Sequence, residues 1–138
     1  MTAFAGPRAF ARACRPEWIE VPIDIYQWAD RSRVETLFRS GCWQIERIVL
    51  EPFAVVPRHF HGRCSSCDLI ESGAGVGEVA GRIFKSQHSA SAAANFLRVP
   101  FGAWHSGEVG AEGLRYLSFQ QWAGEPSRIT EDWHGEAR

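Results

Sequence analysis

The chain has 138 residues, 45% of them apolar and 22% charged, with a formal net charge of -1. That length suits one domain with a core of its own, and the composition is that of an ordinary globular protein rather than a disordered one. The balanced charge offers no basic field for nucleic acid, and no apolar run approaches the roughly 20 residues of a membrane span, so neither is an expected partner.

Residues 1–17 hold Arg8, Arg12 and Arg15 among alanines but lack the apolar core of a secretory signal, and they are expected to form an arm ahead of a single domain over 18–138. Residues 18–25 alternate loosely, as a strand does, and 25–38 is the one stretch that admits a helix. Residues 43–50 are rich in β-branched and aromatic side chains, which predicts a strand. Pro52 and Pro57 argue against helix over 53–61, so that segment is extended. Residues 68–71 lead into Ser72-Gly73-Ala74-Gly75, read as a loop, and 76–80 and 82–85 flank Gly81 as in a hairpin. The Ser/Ala run at 89–94 reads as a loop. A strand at 96–99 enters a turn at Pro100, and 114–122 alternates Tyr116, Ser118 and Gln120 against Leu117, Phe119 and Gln121. The tail after Trp122 is polar and is expected on the surface, with Trp133 as its anchor. Short strands about ten residues apart, without amphipathic helices between them, predict an all-β sandwich or barrel rather than a parallel α/β fold.

Three of the five histidines fall in two short segments, Pro57-Arg58-His59-Phe60-His61 and Pro100-Phe101-Gly102-Ala103-Trp104-His105. Alternate residues of a strand share a face, so His59 and His61 can direct both imidazoles at one point while Phe60 turns away. His105 joins them if a neighbouring strand brings it alongside. A His-x-His by itself reads equally well as a surface pair or as two satisfied core histidines. Nearby, Cys64 and Cys67 form a Cys-x-x-Cys whose three-residue offset puts the two thiols on opposite faces of a regular strand, so one of them, not both, is expected to turn inward. One inward thiolate would make a closed zinc centre, the alternative to an open three-histidine site. A redox dithiol lacks the strand-to-helix context that such motifs have. Four cysteines, unevenly spread, suggest free thiols in a reducing, cytoplasmic setting. Cys14 and Cys42 read as a loop thiol and a small buried hydrophobe, His88 as solvent-facing, and His134 as having no role.

These two segments resemble the paired motifs of the cupin superfamily, small jelly-roll (double-stranded β-helix) barrels that often hold one metal. The first motif, Gly-x5-His-x-His-x3–4-Glu-x6-Gly, is matched by His59, His61 and Gly73. The second, Gly-x5-Pro-x-Gly-x2-His-x3-Asn, is matched by Pro100, Gly102 and His105. The likeness covers 36–122. Phe53 and Ala94 replace the opening glycines and Val109 the closing Asn, while the position of the acidic ligand falls on Ser65 or Ser66, neither of them a good ligand. The resemblance implies a jelly roll with one divalent ion on His59, His61 and His105, with Fe(II) favoured and Zn, Ni, Mn or Cu open. Among cupins this is similar to the three-histidine thiol and diketone dioxygenases; the cysteine dioxygenases place a cysteine where Ser66 stands. A small polar, thiol or diketone substrate is expected, and the alternative is a sensor or binding module without turnover. Trp43, Arg47, Trp104 and Tyr116 are candidates for the pocket wall. Open sheet edges predict a homodimer, with the arm as one way to cover them.

Overall fold

A computed structural model describes residues 21–87 and 96–138, so the N-terminal arm at 1–17, the 89–94 run, His88 and Cys14 lie outside the described residues. Among the described residues nine strands follow in order: β1 Asp24–Tyr26, β2 Ser32–Ser40, β3 Trp43–Leu50, β4 Val55–Phe60, β5 Cys64–Val79, β6 Arg82–Gln87, β7 Phe96–Val99, β8 His105–Trp122 and β9 His134–Gly135, with a short 3-10 turn at Ile129–Asp132 before the last. All strand pairings are antiparallel, and the sheet curls on itself as a cupin jelly roll does.

The long strands β5 and β8 run through both halves of the barrel. The first half of β5 pairs with the second half of β8, flanked by β7 on one side and by β3, β2 and β1 on the other. Their other halves pair again, flanked by β6 and by β4 with β9. The two strands turn the corner together. Gly73 has φ +82° and Gly113 φ +73°, the left-handed region that disfavours any side chain. A Cβ on Gly73 would lie 2.0 Å from the carbonyl oxygen of Gly113, and one on Gly113 would lie 2.8 Å from that of Leu50. The sequence around Gly73, expected to loop out, is therefore interior to β5, where register shifts at Ile70/Ser72 and Gly73/Gly75 bend the strand without ending it.

No α-helix forms at 25–38. Val34 and Thr36 are fully buried while Arg33 is exposed and Glu35 half-buried, a period of two that seats β2 on the core. One extra residue, Leu37, shifts the register between Thr36 and Phe38 and interrupts the alternation, which is why the pattern read as ambiguous.

The core joins Trp28, Val34, Ile48, Leu50, Val56, Ile70, Val109, Tyr116 and Trp122. Each buried aliphatic side chain contributes about 1.5–3 kcal/mol by leaving water. A polar layer sits beside this core, centred on fully buried Glu46. Its carboxylate accepts hydrogen bonds from Tyr26 Oη (2.8 and 2.9 Å), Thr36 Oγ1 (2.8 Å) and Gln120 Nε2 (3.0 Å). Burial still raises its carboxyl above the usual range, against the pull of these donors. Gln44 Nε2 and Trp122 Nε1 both donate to Gln120 Oε1 at 2.9 Å, which completes the layer.

The corner yields a direct check. Gly41 has φ +60° and no atom within 4 Å of a new Cβ, so Gly41→Ala is expected to cost about 1–2 kcal/mol of backbone strain alone. Gly73→Ala adds a collision with backbone and is expected to lose at least about 2 kcal/mol more in urea unfolding. Equal losses would show that the corner has slack.

Candidate metal centre

His59 lies near the end of β4, His61 just beyond it, and His105 opens β8 directly opposite His59. Strand alternation places His59 and His61 on the inner face, while Phe60 turns outward against Trp104 (ring centroids 4.8 Å) and His134 (5.0 Å). The three imidazoles each offer a ligand nitrogen, and these atoms lie within 4.8 Å of one another.

Backbone carbonyls orient every ring. His59 Nδ1 lies 2.7 Å from Pro57 O, His61 Nδ1 2.9 Å from Asp132 O and His105 Nδ1 2.9 Å from Ala103 O. A carbonyl oxygen can only accept, so each Nδ1 carries the proton and each neutral ring keeps its lone pair on Nε2. Burial lowers His61 from the usual imidazole range, drives His59 well below it with the help of the two neighbouring rings, and brings His105 to about 4. Near neutral pH no proton sits between His59 Nε2 and His61 Nε2, which stand 3.2 Å apart. Two lone pairs at that distance repel unless a cation lies between them. Two nitrogens about 2.1 Å from one ion, at angles between 90° and tetrahedral, stand roughly 3.0–3.4 Å apart, so the donor set fits a single divalent metal.

The chain's own C-terminal segment completes the site. Trp133 stacks on His59 with centroids 3.5 Å apart and planes at 7°, and Asp132 supplies the carbonyl that orients His61. Asp132, itself buried, accepts from the backbone of Arg63 (2.7 Å) and Gly62 (3.3 Å), while β9 pairs Gly135 with His59 and His134 with Phe60. The tail therefore does not lie loosely on the surface. His134, expected to have no role, is 3.2 Å from Asp132 Oδ1 and stacks on Phe60. The polar layer holds this strap from behind, since Ile129 N donates to Tyr26 Oη (3.1 Å) and Gln44 Nε2 to Ser127 O (2.9 Å). Trp28, in the connection between β1 and β2, packs edge-on against His59 at 5.7 Å. Trp28, Asp132 and Trp133 were not singled out as site residues from the sequence, although the only local signal, an aromatic in a polar tail, did mark Trp133.

Other candidates fall in different places. Cys64 is buried and lines a chamber of about 340 Å³, its open side included, together with Ser66, His61, His105, Tyr116, Ser118 and Gln120. Neither Cys64 nor Cys67 belongs to the ligand cluster among the described residues. Burial pushes the Cys64 thiol far above its ordinary range, which opposes a thiolate, and Cys67 sits half-buried in register with outward-facing Phe119. Tyr116 lines the chamber and also a larger apolar cavity. Trp43, Arg47 and Trp104 line neither. Trp43 is 54% exposed at the β2–β3 turn, and Arg47 is held on the outer surface by Glu71 (3.1 Å). Trp104 packs on the outside, under the guanidinium of Arg58 at 4.3 Å. Their places on the strands, odd against the inward even set of β3 for Trp43 and Arg47, turn them out.

Asp68 is a buried acid that the sequence reading passed over. It follows Cys64 and Ser66 on the inner face of β5, its Oδ1 has no hydrogen-bond partner among the described residues, and burial raises its carboxyl to about 6 against the pull of the Ser118 and Ser66 hydroxyls.

No protein-family model matches the sequence, and a search of curated proteins found no relative. Solved structures do resemble it. KdgF from Halomonas sp. superposes with a TM-score of 0.63 at 11% identity, over 77% of this chain and 89% of that one. The Schizosaccharomyces pombe Cnp3 cupin domain gives 0.60 at 16% identity, over 72% and 69%. A Bacillus subtilis oxalate decarboxylase, described with Mn(II) centres, gives 0.59 at 17% identity, over 77% of this chain but 29% of its own length. This chain thus has the cupin fold, and it carries a cluster of three histidines inside it.

Removing the aromatic that stacks on His59 should loosen the site. Trp133→Ala is expected to weaken Zn²⁺ affinity about 10- to 100-fold in competition with a chromophoric chelator; unchanged affinity would show that the strap does not orient His59. Asp68 makes a separate prediction about pH. A carboxyl raised from 3.8 to about 6 on folding binds its proton more tightly when folded, so its contribution falls as pH rises from 3.8 to about 6 and stays low above that. At 1.36 kcal/mol per unit the full penalty is about 3 kcal/mol. Asp68→Asn is expected to gain stability relative to the natural chain as pH rises through that window, read by urea unfolding at pH 4 and pH 7.5.

Proposed function

We propose that this chain is a metal-dependent cupin enzyme of the dioxygenase type, holding one divalent ion, Fe(II) before Zn, Mn, Ni or Cu, on His59, His61 and His105. The observation that carries the reading is the ligand set: three neutral imidazoles converge, and no carboxylate or thiolate joins them among the described residues. A site of this kind leaves the full charge of the cation in place and coordination positions free for small molecules. Bound Fe(II) would supply the one-electron chemistry that reaction with dioxygen requires. Mn(II) in the oxalate decarboxylase of the same fold supports a divalent ion here without deciding which.

The chain's own groups have assignable parts. The carbonyls of Pro57, Ala103 and Asp132 hold the rings in the tautomer that ligates. Trp133 covers one face of His59 and keeps water from it. Tyr116, whose hydroxyl is held neutral far above its usual range by burial and by the nearby Asp68 and Glu46 charges, presents a donor and not an anion. A small thiol- or carbonyl-bearing substrate fits such a site.

The test is anaerobic loading with Fe(II) followed by oxygen-electrode measurements with thiols, diketones and flavonoid-like compounds. One iron per chain and substrate-dependent oxygen uptake, lost in His105→Ala, are expected. Stoichiometric iron and tight ligand binding with no oxygen uptake would assign the chain to the binding modules instead.

A further inference from the structure

We propose that the cavity beside the histidines is built for a compact, mainly apolar ligand with one polar head, and that it rejects molecules bearing a second charged group. The inference rests on the metal-centre reading above, because the head is taken to point toward the three histidines.

The cavity holds about 550 Å³, its open mouth included, and it meets the centre at His105, with Trp28 and Tyr116 alongside. Leu50, Val56, Ile70, Val99 and Leu114 form much of its wall. Among the described residues no lysine or arginine lines it, and the one ordinarily charged residue there is Glu108, exposed at the surface. A second carboxylate or an ammonium on the ligand would therefore enter an apolar space with no partner of opposite sign, at the steep cost of burying an unpaired charge. A single anionic or polar head escapes that cost by facing the cation.

Trp28 and Tyr116, both in the cavity wall, carry donors of the kind such a head needs. Trp28 is 4% exposed, and its Nε1 is buried without a hydrogen-bond partner among the described residues. Buried indole N–H groups ordinarily find an acceptor, and this donor has none among the described residues. The Tyr116 hydroxyl donates to no described residue and lines the same cavity. Both are neutral and both are donors, so the head they suit is a hydrogen-bond acceptor: a carbonyl, thiolate or carboxylate.

Four probes with one hydrocarbon body test this: 4-phenylbutan-2-one, 3-phenylpropionate, phenylalanine and benzylmalonate, titrated calorimetrically into Zn²⁺-loaded and metal-free protein. The ketone and 3-phenylpropionate are expected to bind the loaded protein, with phenylalanine and benzylmalonate at least about tenfold weaker. Trp28→Phe and Tyr116→Phe should each weaken the ketone about three- to tenfold, and Leu97→Trp, which fills the wall at a half-buried position, should abolish its binding; a cooperative thermal transition checks that each variant folds. Phenylalanine or benzylmalonate binding as tightly as 3-phenylpropionate would overturn the proposal, as would ketone affinity unmoved by both donor variants. Zn²⁺ uptake without binding of any probe overturns the cavity proposal and leaves the metal centre standing. Ketone binding to a protein that takes up no Zn²⁺ overturns the metal centre and with it the placing of the head toward the histidines.

Discussion

Two imidazole nitrogens 3.2 Å apart, with no proton to share, are the constraint around which this molecule is arranged. Each ring has already committed its N–H to a backbone carbonyl, so the lone pairs of His59 and His61 face each other and neither can turn away. In a buried site such an arrangement is unfavourable by itself, because the field of each lone pair falls on the next and little water is present to screen it. A cation turns the same arrangement into a chelate. The fold thus spends stability on a geometry that only a ligand makes favourable, a known signature of a functional centre.

The rest of the chain can be followed outward from that point. Asp132 and Trp133 fix two faces of the site, and they hold position because Ile129 and Ser127 are bonded to Tyr26 and Gln44. Those side chains in turn belong to the layer centred on Glu46, buried on β3. A carboxylate with donors on both oxygens is costly to bury but strict about geometry. Its partners come from β1, β2 and β8, so it sets those strands against one another and carries their placement to the C-terminal strap.

The parts that were legible in the sequence are those governed by short-range rules. Period two put His59 and His61 on one face, the Pro-x-Gly turn marked His105, and the opposed offset of Cys64 and Cys67 anticipated one thiol inside and one outside. The all-β reading likewise followed from strands punctuated by glycine and proline. What failed depended on context beyond a few residues. The bulge at Leu37 disguised β2 as a segment that admits a helix, and the glycines at 73 and 75 looked like a loop because their role, letting β5 and β8 cross at a corner, involves a strand forty residues away. Trp28 and Asp132 reach the site only through tertiary pairing, which leaves no periodic trace. Trp43, Arg47 and Trp104 were drawn in by nearness along the chain, whereas strand alternation and the outer packing of Phe60 turn them away.

The missing acidic ligand ties the sequence to the chemistry. Ser66 stands where a carboxylate would complete the motif, and it lines the chamber next to a cysteine whose thiol burial keeps protonated. X-ray absorption on the zinc-loaded protein tests the central claim most directly. The account predicts a first shell of three imidazole nitrogens near about 2.0–2.1 Å with light atoms filling the remainder, whereas a sulfur scatterer near about 2.3 Å, or fewer than three imidazoles, would contradict it.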